Sequence, residues 1–259
     1  MRLRGGPWEM VIRPERGGRI TSLRLEGEEL LDAGIGVDRP DAAGFVESGA
    51  FGWDEMVPNL DATGGLPDHG EAWRLPWTVE RSSASAAVMR CSGRAVPWEM
   101  ARTIGLGREA VSFSYVYRNR GLEPHRAYWC AHPLFRYEPG MRIGVAGGER
   151  LASLREGTSD KVFFEPGAVD CVALGWESGA SIEVRWDAAL TPYLGVWACN
   201  GDLGGYRQVA IEPATGGGDR PDSAEPAPLL GPGGSLRWWM EVRDARFPSP
   251  YRGAGQAGA

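Results

Sequence analysis

Val111-Ser112-Phe113-Ser114-Tyr115-Val116-Tyr117-Arg118-Asn119-Arg120-Gly121 sets large apolar residues at 111, 113, 115 and 117, with a turn signal at the end. A period of two is that of a strand with one buried face. The same alternation recurs at Ile182, Val184 and Trp186, and a late strand reads through Leu236–Val242. An early strand, Ile20–Leu25, ends at the turn-prone Glu26-Gly27-Glu28-Glu29. Shorter runs lie at Ala87–Cys91 and Val172–Trp176. The 38 glycines and 19 prolines are spread along the chain, as suits many short strands joined by turns. No segment reads as a capped helix of three or more turns. The expectation is an all-β chain folded as an antiparallel β-sandwich. With no internal repeat and no clear boundary, residues 1–247 are expected to form a single domain. Residues 248–259 end in Gly-Ala-Gly-Gln-Ala-Gly-Ala and read as a disordered tail.

A chain of 259 residues can bury a sizeable core without disulfides. The net charge of −6 argues against a nucleic-acid or anionic-membrane partner, which would call for a basic face. No apolar run approaches the roughly 20 residues of a membrane helix. The basic N-terminus is followed by no apolar signal core, so the expected location is cytoplasmic. The cysteines, Cys91, Cys130, Cys171 and Cys199, are scattered in apolar runs with no Cys-x-x-Cys pair, which suits buried thiols. Lys161 is the only lysine. Oligomeric state is not readable from the sequence.

The chemistry concentrates in Pro67-Asp68-His69-Gly70-Glu71-Ala72-Trp73-Arg74-Leu75-Pro76-Trp77. The chain has only three histidines, and one lies here beside acids and two tryptophans. Aromatic faces next to hydrogen-bonding groups suit a sugar, which offers both apolar C–H faces and hydroxyls. The competing reading makes His69 a loop residue and the tryptophans core. A second cluster, Gly52-Trp53-Asp54-Glu55-Met56-Val57-Pro58-Asn59-Leu60-Asp61, reads either as a solvated loop or as partners for hydroxyls; it matches no calcium-loop spacing. His132, in Trp129-Cys130-Ala131-His132-Pro133-Leu134-Phe135, follows an aromatic run and reads as a core histidine or a proton carrier. Glu212 ends the apolar run Gln208–Ile211 before Pro213, as a desolvated general base or as a glutamate blunting a strand edge. His125 sits in a polar turn and reads as a surface residue. There is no Gly-x-Ser-x-Gly elbow, P-loop, dinucleotide fingerprint or spaced zinc motif, so no metal or cofactor is expected.

From Gly17 to Val242 the order of these elements resembles the aldose 1-epimerase family, the galactose mutarotase-like proteins. Gly17-Gly18-Arg19-Ile20-Thr21-Ser22-Leu23 looks like that family's first glycine-led strand. Pro67-Asp68-His69-Gly70 looks like its His-Gly segment, Ala131-His132-Pro133-Leu134-Phe135 like its His-x-x-Phe segment, and Ile211-Glu212-Pro213 like its late glutamate segment. The resemblance implies a large antiparallel supersandwich and interconversion of the α and β anomers of a free sugar, without a cofactor. Glu212 would take the C1 hydroxyl proton, and a protonated His132, across the acetal from it, would protonate the ring oxygen. His69 would bind a ring or C-6 oxygen. Trp53, Trp73 or Trp77 would stack on the sugar, and Asp54 and Asn59 would bind hydroxyls. The sequence departs from the family in two places. The Asn-Arg arginine is missing at Pro58-Asn59-Leu60, and Trp73 stands where phosphosugar epimerases carry an arginine, with Arg74 one step on. The family's third acid has two candidate positions, Asp160 and Asp187. Two other readings remain open: a non-catalytic sugar-binding protein, and a lyase or hydrolase with Asp54 or Glu55 as a second acid.

Overall fold

A computed structural model describes residues 1–36, 38–39 and 41–246. The expected tail at 248–259, and residue 247 before it, lie outside the described residues. In chain order the strands are β1 (Arg2–Gly5), β2 (Trp8–Arg13), β3 (Arg19–Leu25), β4 (Glu28–Glu29), β5 (Gly52–Met56), β6 (Thr78–Ser82), β7 (Ala86–Ser92), β8 (Trp98–Leu106) and β9 (Ala110–Asn119). They continue as β10 (His125–Arg126), β11 (Cys130–Arg136), β12 (Arg142–Gly144), β13 (Thr158–Phe164), β14 (Cys171–Gly175), β15 (Ser181–Trp186), β16 (Tyr193–Asn200), β17 (Arg207–Ala214), β18 (Leu229–Leu230) and β19 (Ser235–Asp244). Among the described residues helix is confined to a 3-10 turn at Ala72–Arg74 and to α1 (Gly148–Ala152). Among the described residues no helix is long and apolar enough to cross a membrane.

Two large sheets carry the fold. One has the order β1-β2-β3-β5-β11-β17-β16-β13, with β4 beside β3; the other has the order β12-β14-β15-β19-β9-β8-β7-β6. In β9 the residues Val111, Phe113, Tyr115 and Tyr117 are buried, as their alternation predicts. They meet Trp53, Trp129 and Trp238 in an apolar cluster that runs from Leu3 to Val242 and draws on both sheets. Burial of each such side chain contributes roughly 1.5–3 kcal/mol.

The central strands β5, β11 and β17 are buried along nearly their whole length on both faces. One face looks into the sandwich and the other lies under loops. Gly52–Met56, open in the sequence to reading as a solvated loop, is therefore an interior strand. Glu212 lies within a central strand, paired on both sides, and does not blunt an edge. His125 is half-buried, with its Nε2 3.0 Å from the Tyr117 hydroxyl, and is not a free surface residue.

Candidate functional site

The outer face of the first sheet brings His132 and Glu212 together. In the β11–β17 ladder Cys130 pairs with Ala214 and Leu134 with Ala210, a register that sets His132 opposite Glu212. On the far side of His132 the partner is Asp54, and on the far side of Glu212 it is Gly195, which in turn pairs with Phe163. Residues paired across an antiparallel ladder share a face. One row across five strands therefore reads Asp54, His132, Glu212, Gly195, Phe163.

His132 Nε2 lies 3.5 Å from Glu212 Oε1, at the outer limit of hydrogen bonding. The other oxygen, Oε2, is 2.7 Å from the Lys161 ammonium. Lys161 also meets both Asp219 oxygens at 2.9–3.0 Å. Gly195 makes this approach possible: a Cβ there would stand 2.8 Å from Lys161 Cε and 2.9 Å from Glu212 Oε2. Burial pushes the Glu212 carboxyl above its ordinary range, while Lys161 pulls it back. For Lys161 burial acts to lower the pKa, but Glu212 and Asp219 outweigh it and hold the ammonium above its ordinary value. Burial, reinforced by the neighbouring Lys161 and Arg19 cations, drives His132 well below the usual imidazole value. At neutral pH His132 is thus uncharged, and it neighbours Glu212 directly. The protonated imidazole expected across the acetal is not the resting state, because the ring is shut away from water.

His69 reaches His132 from the loop after β5. The two rings are 5.3 Å apart and edge-on, and His69 Nδ1 is held at 2.7 Å by Asp68. The loop turns sharply here: His69 has φ 61° and Gly70 φ 64°, and a Cβ on Gly70 would meet the Val57 carbonyl oxygen at 2.3 Å. Phe45 fills the corner between the two histidines. It stacks on His69 at 4.3 Å and stands edge-on to His132 at 5.4 Å and to Trp73 at 5.3 Å. Trp73 is buried under Phe45. Arg74 is exposed, spreads over the Trp73 ring at 4.3 Å and donates to the Ala43 carbonyl. It clamps the Phe45 loop from outside. Asn59 is buried and donates to the Asp61 and Pro67 carbonyls, so it shapes the His69 loop from beneath.

Other expected binding residues stand elsewhere. Trp53 projects to the opposite face from Asp54 and packs on Phe113 of the second sheet. Trp77 is core, with the Arg102 guanidinium over its ring at 4.8 Å. Neither tryptophan reaches His132 or Glu212, because the interior of the sandwich holds both indoles. Asp54 is in the row but bound to Arg19, whose Nε lies 2.9 and 3.1 Å from its two oxygens. Glu55 points inward and accepts from Arg102, Tyr115 and Trp129 at 2.8, 3.0 and 2.7 Å. Both carboxylates are committed to buried partners, which takes away the support for a second hydrolytic acid. Glu71 accepts from the Arg94 and Ala95 amides and the Trp98 indole at 3.0–3.2 Å, tying the His69 loop to the turn before β8.

Sequence reasoning missed Lys161, Asp219, Gly195 and Phe45. The signal for Lys161 was its uniqueness; nothing local marked the other three. Asp160 projects away from Lys161 and pairs with Arg150, and Asp187 follows β15 in the other sheet. The acid that joins Glu212 through Lys161 is Asp219.

No protein-family model and no curated protein sequence matches the chain. Solved structures do resemble it. An Escherichia coli protein provisionally assigned as an aldose 1-epimerase superposes with TM-score 0.73 at 16% identity, over 93% of this chain and 97% of that one. A Synechocystis protein gives TM-score 0.72 at 18% identity, over 94% of each chain. A galactose mutarotase-like protein from Lactobacillus casei gives TM-score 0.69 at 16% identity, over 94% of this chain and 99% of that one. The chain has the galactose mutarotase-like fold. At these identities the likeness is one of fold, and chemistry has to be argued from the site.

Proposed function

We propose that this protein is an aldose 1-epimerase-like isomerase that interconverts the α and β anomers of a sugar at Glu212 and His132. The observation that carries this reading is the pair itself: an imidazole and a carboxylate 3.5 Å apart, buried on one face of the sheet. Ring opening of a hemiacetal moves one proton from the C1 hydroxyl to the ring oxygen. Both oxygens sit on one carbon, so two adjacent proton carriers match them. Glu212 takes the hydroxyl proton as the C1–O bond to the ring oxygen breaks and the aldehyde forms. The proton passes to neutral His132 Nε2, and from there to the ring oxygen. Rotation about C1–C2 and reversal of the steps close the other anomer. Each group ends as it began, so the resting imidazole need not be charged. These steps call for no metal or organic cofactor. A positioned acid–base pair supplies roughly 10²–10⁴-fold each.

The test is anomer exchange followed by NMR on glucose, galactose and their 6-phosphates. Wild type is expected to exceed the buffer rate on at least one sugar, and His132→Gln is expected to lose that excess. A second reading, a sugar-binding protein without catalysis, draws on one observation: Phe45 and the surrounding loops leave His132 and Glu212 about 5% and 4% exposed. Sugar-dependent thermal stabilisation with exchange at the buffer rate is its signature.

A further inference from the structure

Glu212 and His132 differ in how they are covered. A cavity of about 140 Å³ reaches Glu212, but His132 is not among the residues that line it. His132 lies instead under Phe45, whose ring is edge-on to it and stacked on His69. A ligand that touches His132 together with Glu212 therefore has to displace the Phe45 ring.

The ring is carried by a compact turn, Gly44–Ser48, that is bonded to itself. Ser48 N–H donates to the Gly44 carbonyl at 3.1 Å, and Ser48 Oγ to the Phe45 carbonyl at 2.7 Å. Glu47 folds over Gly44, where a Cβ would collide with its carboxylate. Such a turn moves as a unit. Its C-terminal end is pinned. The Ser48 carbonyl accepts from the Arg39 N–H at 2.9 Å and from Arg16 at 3.2 Å, and the Gly49 carbonyl accepts from Arg19 at 2.7 Å. Gly49 itself, with φ 100°, has the backbone freedom of a joint. Among the described residues, one hydrogen bond ties residues 42–47 to anything outside the loop: the exposed Arg74 donates to the Ala43 carbonyl.

Resting on the isomerase reading, we infer that Gly44–Ser48 is a gate: the turn swings at Gly49 to withdraw Phe45 from His132, and Arg74 is its latch. A ligand meets only the open form, so its apparent affinity is lowered by the fraction of molecules that are open. Releasing the latch raises that fraction without touching His132 or Glu212.

The experiment labels the protein with diethyl pyrocarbonate near neutral pH and reads each histidine by peptide mass spectrometry. The proteins are wild type, Arg74→Ala and Phe45→Ala, each checked for a cooperative melt. His125, on β10 in a different sheet, is the internal standard and keeps its wild-type rate throughout. His132 labels slowly in wild type. It labels about fivefold faster in Arg74→Ala, as the loss of one hydrogen bond allows, and at least about tenfold faster in Phe45→Ala. On a sugar that wild type exchanges, Arg74→Ala lowers KM by its same factor and keeps kcat. Should Phe45→Ala not fold, Arg74→Ala, at an exposed position, decides alone. Wild-type labelling of His132 in Arg74→Ala makes Phe45 fixed packing and overturns the inference, even where Phe45→Ala speeds it. So does a wild-type His132 that labels as fast as in urea. Gated labelling with exchange at the buffer rate overturns the isomerase reading and leaves the gate standing.

Discussion

Lys161 Nζ lies 2.7 Å from Glu212 Oε2, while the opposite oxygen of the same carboxylate faces His132 Nε2 at 3.5 Å. The two neighbours favour opposite states of Glu212. The ammonium stabilises the anion, and the neutral imidazole can accept from the acid. A proton carrier that must load and unload in each turnover benefits from such balance. Lys161→Met removes the stabilisation of the anion, so the Glu212 carboxyl rises further above its ordinary 4.5. The acid limb of kcat/KM is expected to move upward by about one unit or more. An unmoved limb would show that Lys161 only supports the fold.

Gly195→Ala tests the same contact from the backbone side. Its Cβ would press on both Lys161 Cε and Glu212 Oε2. The lysine has to withdraw, so the acid limb is expected to shift in the direction of Lys161→Met. The loss of stability is expected to be about 1–3 kcal/mol, as for overpacking elsewhere. Parallel pH profiles of the two variants are the check.

The buried imidazole predicts a pH dependence of stability. The folded pKa of His132 is depressed below the ordinary 6.5. Its contribution is fully present above 6.5 and is lost as pH falls toward the folded value. Glu212, with a raised folded pKa, works in the opposite sense: its contribution is present below 4.5 and lost as pH rises through the folded value. His132→Gln removes only the first term. Between pH 6.5 and 5 urea melts should therefore show a shallower loss of stability in His132→Gln than in wild type. Equal slopes would mean that the ring titrates freely.

Inside the sandwich Glu55 holds Arg102, and both side chains are fully buried. Glu55→Gln removes the charge that compensates Arg102. The cost is expected to be about 3–5 kcal/mol by chemical denaturation. The folded fraction should keep most of its exchange activity, because Glu55 points away from Glu212. Asp54→Asn breaks a comparable buried pair with Arg19, but beside His132, so there stability and activity should fall together.

The parts of the fold legible in the sequence are those with one wet face. Strand β9 announced itself because Ser112 and Ser114 stay exposed while Phe113 and Tyr115 do not. Strand β5 did not, because loops cover its outer face and remove the polar half of the pattern. His69, His132 and Glu212 stood out as rare or oddly placed residue types; the sheet sets His132 beside Glu212, and the loop after β5 carries His69 to His132. The tryptophans misled because an indole suits a core as well as a pocket. Adjacent strand residues face opposite ways, so Trp53 and Asp54 could not both reach one site. Lys161 was conspicuous, but its place depends on the register of β13 against β16 and on a bare Gly195, which are long-range features.

The central claim is that Glu212 takes the C1 hydroxyl proton, which reaches the ring oxygen through His132. Two-dimensional exchange NMR on an equilibrated free aldose, with wild type and Glu212→Gln at matched concentration, tests it most directly. The account predicts exchange cross-peaks that grow with wild-type protein and fall by at least about 10²-fold in Glu212→Gln, with the melting transition retained. Equal exchange in the two proteins, or wild-type exchange at the buffer rate across the sugar panel, would contradict it.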